Sequence, residues 1–242
     1  MTDNGPQKRS ASYRLPVADT DFLLREEMRD IRFALEYAKA ELGLRDWGIR
    51  STVIVFGSAR VLEGTPRYEA ARAFAGIVSE RGGALAPHHR WRDNVIATGG
   101  GGGIMEAANR GAMEAGAPSI GFNINLPHEQ EPNAFSTPEL TFQFHYFAMR
   151  KMHMAMRANA LVVFPGGFGT MDELFEILTL VQTKKMRAVP IVLFDQAYWR
   201  KVLSFESFLE EGMVGADELA LIEFADTPEA AWEALVRRGL SV

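Results

Sequence analysis

The sequence predicts an α/β fold of the Rossmann-like, doubly wound type, in which a mostly parallel sheet carries helices on both faces. Short, continuously apolar runs, typical of strands buried on both faces, alternate with helical periodicity from residue 52 to residue 238. Two of these strands lead directly into glycine-rich loops that open helices. No boundary divides the series, so we expect one domain at residues 20–242 behind a mobile, polar tail at 1–19.

Composition excludes several classes of function. The 242-residue chain is 47% hydrophobic with a net charge of −5, which suits a sizeable core and argues against nucleic acid as a partner. The absence of cysteine excludes disulfides, thiolate metal sites and a cysteine nucleophile. No apolar run reaches the roughly 18 residues of a membrane span and no signal peptide is visible, so we expect a cytoplasmic protein without a membrane partner. His88 and His89 lack a third ligand, so no metal site is expected.

A long N-terminal helix is predicted within residues 20–45, beginning at Asp21. Its apolar residues follow a heptad-like spacing: Leu24, Met28, Ile31, Leu35, Ala38 and Leu42. The pattern covers fewer than three heptads, so packing against its own domain is favoured over a coiled coil. A contact between subunits stays open.

The remaining elements alternate along the chain. Strands are predicted at 52–56, 95–97, 119–124, 140–144, 161–164, 189–194 and 221–224, and helices at 66–80, from 104, at 145–159, from 170, at 198–211 and at 228–238. If the strand order is 3-2-1-4-5-6 and the segment at 140–144 is an excursion, the strands at 52 and 161 meet at the topological switch point. The turn at Gly57 and the loops 99–103 and 166–170 would then converge on one crevice.

The loop at residues 165–170 has the composition of an anion site. Pro165-Gly166-Gly167-Phe168-Gly169-Thr170 follows a buried strand, and its glycines let backbone N–H groups approach a ligand. Thr170 is the predicted N-cap of the next helix, whose dipole also favours negative charge. Asp172 and Glu173 in the first turn could complement that dipole or face the sugar of a ligand, and the pattern alone leaves both interpretations open.

The string from Pro165 to Glu173, PGGFGTMDE, resembles the PGGxGTxxE signature of the Lonely Guy (LOG) family. These are cytokinin-activating nucleoside 5′-monophosphate phosphoribohydrolases, and many members carry the label "lysine decarboxylase-like". Residues 99–112 resemble the GGGxGIMEAANRGA block of longer members, and Arg150-Lys151 matches the family's Arg-Lys pair. The resemblance covers residues 54–211 and implies hydrolysis of an N-glycosidic bond to free base and ribose 5-phosphate.

The resemblance also assigns roles to particular residues. Glu173 is the expected catalytic carboxylate, which would stabilise positive charge on the sugar, and Arg150 the second catalytic residue. Because a guanidinium does not deprotonate, Arg150 would act electrostatically on phosphate or base. The implied substrate-binding residues are Ser58, Gly100, Gly101, Gly102, Gly103, Glu129 (with Glu131 as an open alternative), Lys151, Gly166, Gly167, Phe168, Gly169, Thr170, Asp172 and Thr179. The resemblance implies no cofactor and no metal. It implies a homodimer or a larger homo-oligomer. The group that donates a proton to the leaving base stays open among Asp172, Glu129 and water.

Other functions remain in competition with this one. A lysine decarboxylase would need pyridoxal phosphate on a lysine, and the chain has no His-Lys pair of the expected kind. A Rossmann oxidoreductase is disfavoured because the turn at residues 57–60 lacks the G-x-G-x-x-G pattern. The serious alternative is a non-catalytic protein that binds or senses a nucleotide or the molybdenum cofactor. Retention of both Arg150 and Glu173 favours the enzyme, and the preferred base, in AMP or a cytokinin riboside monophosphate, stays open.

Overall fold

The computed structural model describes residues 3–126 and 131–242 of the chain. Within them, seven strands form a parallel sheet: β1 (Thr52–Phe56), β2 (Val95–Thr98), β3 (Ser119–Ile124), β4 (Thr141–Phe144), β5 (Ala158–Val163), β6 (Ile191–Phe194) and β7 (Ile222–Ala225). Their order across the sheet is β4-β3-β2-β1-β5-β6-β7. The predicted Rossmann-like α/β fold is therefore confirmed.

The strand order departs from the prediction at one edge. The segment expected to be an excursion is strand β4, which pairs in parallel with β3 along its whole length. Phe142 and Phe144 alternate with more exposed residues and bury their rings beside Phe122 of β3, which explains why this segment joins the sheet. Without β4 the order is the predicted one, and β1 and β5 meet at the topological switch point.

Helices cover both faces of the sheet. The helices of the described residues are α1 (Gly5–Arg9), α2 (Thr20–Leu23), α3 (Arg29–Asp46), α4 (Pro66–Arg81), α5 (Ile104–Glu114), α6 (Phe147–Arg157), α7 (Phe168–Gln182), α8 (Gln196–Val202), α9 (Phe205–Glu210), α10 (Ala216–Leu219) and α11 (Pro228–Arg237). Ile54 and Phe56 of β1 face a core with α3, α6 and α7, whereas Val53 and Val55 face α4, α5 and α11. Among the described residues, no helix has the length and apolar content needed to cross a membrane.

The N-terminal helix is shorter than predicted. Instead of a continuous helix from Asp21, α2 ends at Leu23, a 3₁₀ turn covers Glu26–Met28, and α3 begins at Arg29. Arg32 stabilises the break because its guanidinium donates to the carbonyl oxygens of Leu23, at 2.9 Å, and Arg25, at 2.5 Å. The predicted mobility of residues 1–19 stays a prediction.

The predicted apolar seam of this helix faces solvent. Leu24, Ile31, Leu35 and Leu42 are exposed. The core contact is made by an adjacent stripe that includes Ala40 and Leu44. The helix packs on its own domain, as predicted, but through this stripe and not through the four exposed residues of the seam. Further along, the helix predicted at 198–211 is also interrupted, since α8 ends at Val202 and α9 begins at Phe205.

Helices α4 and α5 approach each other closely, and this contact positions the glycine loop that precedes α5. A Cβ atom at Gly111 of α5 would overlap the backbone carbonyl oxygen of Arg72 in α4. Gly76 lies on the other side of the same contact, but a Cβ atom there would meet the Gly111 carbonyl oxygen at 3.7 Å, an ordinary van der Waals distance. Only Gly111 is therefore required by the packing.

We expect Gly111→Ala to lower the free energy of unfolding by about 1–3 kcal/mol, because the two helices must separate to admit the methyl group. Gly76→Ala is the matched control and should be neutral or stabilising by up to about 1 kcal/mol, since alanine is the better helix former. Urea unfolding of both variants measures the difference. Equal stabilities would contradict the close approach at Gly111.

Candidate functional site

The loops after β1, β2 and β5 are joined by the backbone of Ser58. Its N–H donates to the carbonyl oxygen of Pro165 at 3.0 Å, and its carbonyl oxygen accepts from the N–H of Ile104 at 3.1 Å. Gly103, which precedes α5, has a φ of +64°, and a Cβ atom there would overlap the Ser58 carbonyl oxygen, so the position requires glycine. The structure thus brings the three loops together at the carboxyl edge of the sheet.

The loop at residues 99–103 is held from beneath by asparagines that sequence reasoning did not single out. The carbonyl oxygen of Gly100 accepts from Asn123 Nδ2 at 3.1 Å and from the N–H of Asn133 at 2.8 Å. The carbonyl oxygen of Gly101 accepts from Asn133 Nδ2 at 3.0 Å, and Asn133 also donates to buried Asn109. The sequence does hold one indication of this support. Asn123 places an amide side chain in the otherwise largely apolar strand β3, where a buried polar group needs a hydrogen-bond partner.

These bonds involve the carbonyl oxygens of the loop and leave most of its N–H groups without a partner among the described residues. The N–H of Gly100 donates to Thr98 Oγ1 at 2.9 Å. The N–H groups of Gly101, Gly102 and Gly103 make no hydrogen bond to any described residue. Because the loop carbonyls are tied down and α5 begins at Ile104, the amides lie at the positive end of a helix dipole.

The second glycine loop opens α7 earlier than predicted. The N-cap is Gly167, not Thr170, and the helix begins at Phe168. The N–H groups of Thr170 and Met171 both donate to the Gly167 carbonyl oxygen at 3.0 Å, so the loop closes the first turn without a side-chain cap. Thr170 is buried in that turn, while the N–H groups of residues 167–169 have no partner among the described residues. A second helix N-terminus therefore faces the crevice.

Arg150 of α6 and Glu173 of α7 meet at the floor of the crevice. Arg150 Nη1 lies 3.6 Å from Glu173 Oε1, and its Nε donates to the carbonyl oxygen of Phe122 at 2.7 Å. Glu173 is only 4% exposed. Burial raises the pKa of Glu173 above its ordinary value, although Lys151 and Arg150 act in the opposite direction. Burial also lowers the pKa of Arg150, which stays protonated because a guanidinium is so basic.

Lys151 is held by three carboxylates. Its Nζ lies 2.8 Å from Asp172 Oδ2 and 3.6 Å from Glu173 Oε2, and it also contacts Glu176. Burial lowers the pKa of Lys151, but hydrogen bonds with Asp172 and Glu176 outweigh it and raise the pKa overall. The ammonium charge is therefore neutralised by acids of α7, and the positive groups that remain at the crevice include Arg150, Arg60 and the loop amides.

Two adjoining cavities make up the crevice. The smaller, about 230 Å³, is lined by Ser58, Met105, Arg150, Gly167, Gly169, Thr170 and Glu173. The larger, about 790 Å³, shares Ser58, Arg60 and Gly167 with it and extends over Gly166, Phe168 and Met171 to Arg67, Tyr198 and Val202. Tyr198 ties this wall to the loop, since its hydroxyl donates to the Gly166 carbonyl oxygen at 2.6 Å. Phe168 is 96% exposed at the rim.

One predicted contact residue, Thr179, lies away from this arrangement. The hydroxyl of Thr179 donates to the carbonyl oxygen of Phe175 at 2.7 Å, and Thr179 lines a separate cavity between α7 and the short helices α9 and α10. The structure does not bring it to the crevice. Glu129 lies outside the described residues, and its alternative Glu131 is exposed. Within residues 3–126 and 131–242, no group of three or more His, Cys, Asp or Glu side chains could hold a metal ion.

The raised pKa of Glu173 gives a prediction for stability. Between its ordinary value of 4.5 and the raised value, the folded protein keeps a proton that the unfolded chain has released. The free energy of unfolding therefore falls as pH rises through this window. Glu173→Gln removes this loss. The free energy of unfolding of the variant should therefore increase relative to that of the wild type as pH rises, by about 1.4 kcal/mol for each unit by which the pKa of Glu173 is raised.

Urea unfolding of both proteins from pH 4 to pH 8 measures this gain. Carboxyl groups distant from Glu173 titrate alike in both proteins and cancel in the difference. A gain that shrinks as pH rises would show that the pKa of Glu173 is lowered instead.

Comparison with known proteins places this site in a family. A family model described as "Possible lysine decarboxylase" matches residues 105–235. The rice protein "Probable cytokinin riboside 5'-monophosphate phosphoribohydrolase LOG4" (Oryza sativa subsp. japonica) is 28% identical over 137 residues, which cover 55% of this chain and 58% of the rice protein. Cytokinin riboside 5′-monophosphate phosphoribohydrolase LOG4 of Arabidopsis thaliana is 27% identical over 138 residues, covering 55% and 62%. The chain thus spans about three fifths of the length of these relatives.

Solved structures agree on the fold. The X-ray structure of TM1055, a structural genomics target, matches with a TM-score of 0.54 at 19% identity over 77% of this chain and 99% of that one. The molybdenum cofactor binding protein of the phototrophic bacterium Rippkaea orientalis matches with a TM-score of 0.52 at 20% identity, over 78% and 97%. At these identities the likeness concerns the fold alone. With its family model matched over more than half of its length and LOG phosphoribohydrolases among its relatives, the chain belongs to the LOG family.

Proposed function

We propose that this protein hydrolyses the N-glycosidic bond of a nucleoside 5′-monophosphate, giving the free base and ribose 5-phosphate. The observation that carries the proposal is the buried carboxylate of Glu173, paired with Arg150 beneath two helix N-termini. The relatives named as cytokinin riboside 5′-monophosphate phosphoribohydrolases support the same reaction.

The phosphate is assigned to the free amides of the two glycine loops. The N–H groups of Gly101 to Gly103 and of Gly167 to Gly169 have no partner among the described residues, and each set opens a helix. Amides and dipole together favour a dianion without a lysine. Arg150 adds a fixed positive charge between the loops and Glu173, whereas Lys151 already forms ion pairs with Asp172 and Glu176.

Glu173 is assigned to the sugar. As the C1′–N bond breaks, its electron pair goes to the base and positive charge develops on the ribose. A carboxylate fixed close to C1′ stabilises that charge and orients the attacking water. The water oxygen bonds to C1′, and the net transfer of one proton from water to the base completes the reaction. The cavity of about 790 Å³ beside the loop, with Phe168 and Tyr198 on its walls, offers room for the base.

The alternative is non-catalytic binding of a nucleotide or of the molybdenum cofactor. The Rippkaea orientalis protein that shares the fold is named as a molybdenum cofactor binding protein. The same glycine loops would serve such a ligand. A buried carboxylate, however, repels the phosphate of either ligand and costs stability by desolvation, so a pure binding site gains nothing from Glu173. The Arg150–Glu173 pair therefore favours the enzyme.

We also propose a homodimer or larger homo-oligomer. The support is an apolar surface on neighbouring helices: Ile31, Leu35 and Leu42 of α3 and Phe147, Met152 and Met156 of α6 are all exposed. Exposed apolar patches of this kind commonly mark protein interfaces.

Glu173→Gln and Arg150→Ala should each lower the turnover of the preferred monophosphate by about 100-fold or more, because each removes a group that stabilises charge in the transition state. Steady-state release of free base measures the effect. Arg157→Ala is the matched control for Arg150→Ala, since Arg157 lies on the same helix and pairs with Glu41 away from the crevice. Near wild-type turnover in either site variant would remove that residue from the catalytic pair.

Adenosine monophosphate should be cleaved while adenosine is nearly inert. Phosphate binding by the loops positions the sugar over Glu173, so a substrate without phosphate loses turnover as well as affinity. Chromatography of AMP, adenosine and ATP reactions in parallel, following adenine and ribose 5-phosphate, makes the comparison. Adenine release from adenosine at the AMP rate would contradict the role of the loops. Tight nucleotide binding without base release from a broad panel of monophosphates would establish the non-catalytic alternative.

A further inference from the structure

Helix α6, which carries Arg150, is held along its length by α3. At its start, Glu36 of α3 bonds to the backbone that precedes α6. In the middle, His153 Nε2 lies 3.1 Å from the carbonyl oxygen of Tyr37, and at the end Arg157 Nη2 donates to Glu41 Oε1 at 2.8 Å. Nothing in the proposed reaction uses these contacts directly, yet they join the N-terminal helix to the site.

The contact at the start of α6 is a helix cap supplied from a distant part of the chain. Glu36 Oε1 accepts from the N–H of His145 at 3.0 Å, and Oε2 accepts from the N–H of Tyr146 at 3.2 Å. Tyr146 is the N-cap residue of α6 and makes no side-chain capping bond. Amides at this end of a helix lack partners within the helix, and a carboxylate here also complements the dipole. Glu36 therefore caps the start of α6 through the N-cap residue and the residue before it, although it does not bond to the amides of the first turn.

Further contacts fix Tyr146 against α3. Arg32 Nε donates to the Tyr146 hydroxyl at 3.0 Å, and the Phe33 ring meets the Tyr146 ring edge-on with centroids 4.3 Å apart. Residues 32, 33 and 36 lie within little more than one turn of α3, so backbone, hydroxyl and ring of Tyr146 are all held by one rigid element.

Tyr146 is linked directly to Arg150. The N–H of Arg150 donates to the carbonyl oxygen of Tyr146 at 3.3 Å, in the first turn of α6. The guanidinium then reaches Phe122 and Glu173 through Nε and Nη1. A shift at Tyr146 would consequently be passed to the guanidinium, and charge stabilisation at a reacting centre is sensitive to such displacements.

We infer that Glu36 is a positioning residue for Arg150, acting through the cap it forms on α6. The inference rests on the proposed function, because it concerns the reaction in which Arg150 takes part. Glu36 touches neither the crevice nor, in the proposed reaction, the substrate; it holds the helix start from which Arg150 projects.

The test compares Glu36→Ala with Glu41→Ala. Both variants remove a carboxylate of α3 that bonds to the α6 region, but Glu41 acts at the far end of the helix. Glu36→Ala should lower kcat for the preferred monophosphate by about 10- to 100-fold with a smaller change in KM. Glu41→Ala should lower Tm by a similar amount and leave kcat unchanged.

Glu36→Gln keeps one acceptor oxygen and should therefore restore part of the kcat that Glu36→Ala loses. If Glu36→Ala does not fold, Glu36→Gln takes its place in the comparison.

Unchanged kcat in Glu36→Ala, or an equal loss in both alanine variants, would overturn the inference, because the contact would then be merely structural. A second readout does not depend on turnover: the ¹⁵N NMR signal of the Arg150 Nε–H group, assigned by its loss in Arg150→Lys. This signal should shift or broaden in the Glu36 variants and stay in place in Glu41→Ala. If the wild type releases no base from any monophosphate, the proposed function fails, and the NMR comparison alone decides whether Glu36 positions Arg150. An unmoved signal overturns the inference.

Discussion

The structure around the crevice depends on one constraint, the burial of a carboxylate where two helices meet. Glu173 is almost inaccessible to solvent, and an unpaired carboxylate in such a place would cost several kcal/mol. Arg150 and Lys151 offset that cost, and both come from the start of α6. Helices α6 and α7 are therefore bound to each other by charge at the end nearest the loops, and α3 fixes α6 from its other side.

The same constraint divides the positive groups between two tasks. Lys151 is surrounded by acids of α7 and helps to hold the carboxylates in place. The backbone amides of the two glycine loops remain for an anionic ligand, and their carbonyls are held by Asn123, Asn133 and the peptide group of Ser58. In the proposed reaction, Arg150 would lie between the phosphate and the carboxylate and offset their repulsion. This arrangement suits the cleavage of a phosphorylated sugar better than the storage of a phosphate.

The parallel sheet explains how distant segments reach this place. Since all seven strands run in one direction, the loops after β1, β2 and β5 emerge at the same edge. Helices α5 and α7 lie on opposite faces of the sheet, so their N-termini approach the crevice from two sides. The backbone of Ser58, between them, makes hydrogen bonds to both loops.

The sequence by itself determined the fold class, the positions of the strands, the two glycine loops and the presence of Arg150 and Glu173, because buried parallel strands and glycine-rich anion loops have local patterns. Only the tertiary structure decided that β4 belongs to the sheet, that Gly167 and not Thr170 is the N-cap of α7, and that Lys151 forms ion pairs with acidic side chains of α7. It also decided that Thr179 faces another cavity and that Glu36 caps α6. These features arise from contacts between residues far apart in the chain, whose geometry no local pattern records.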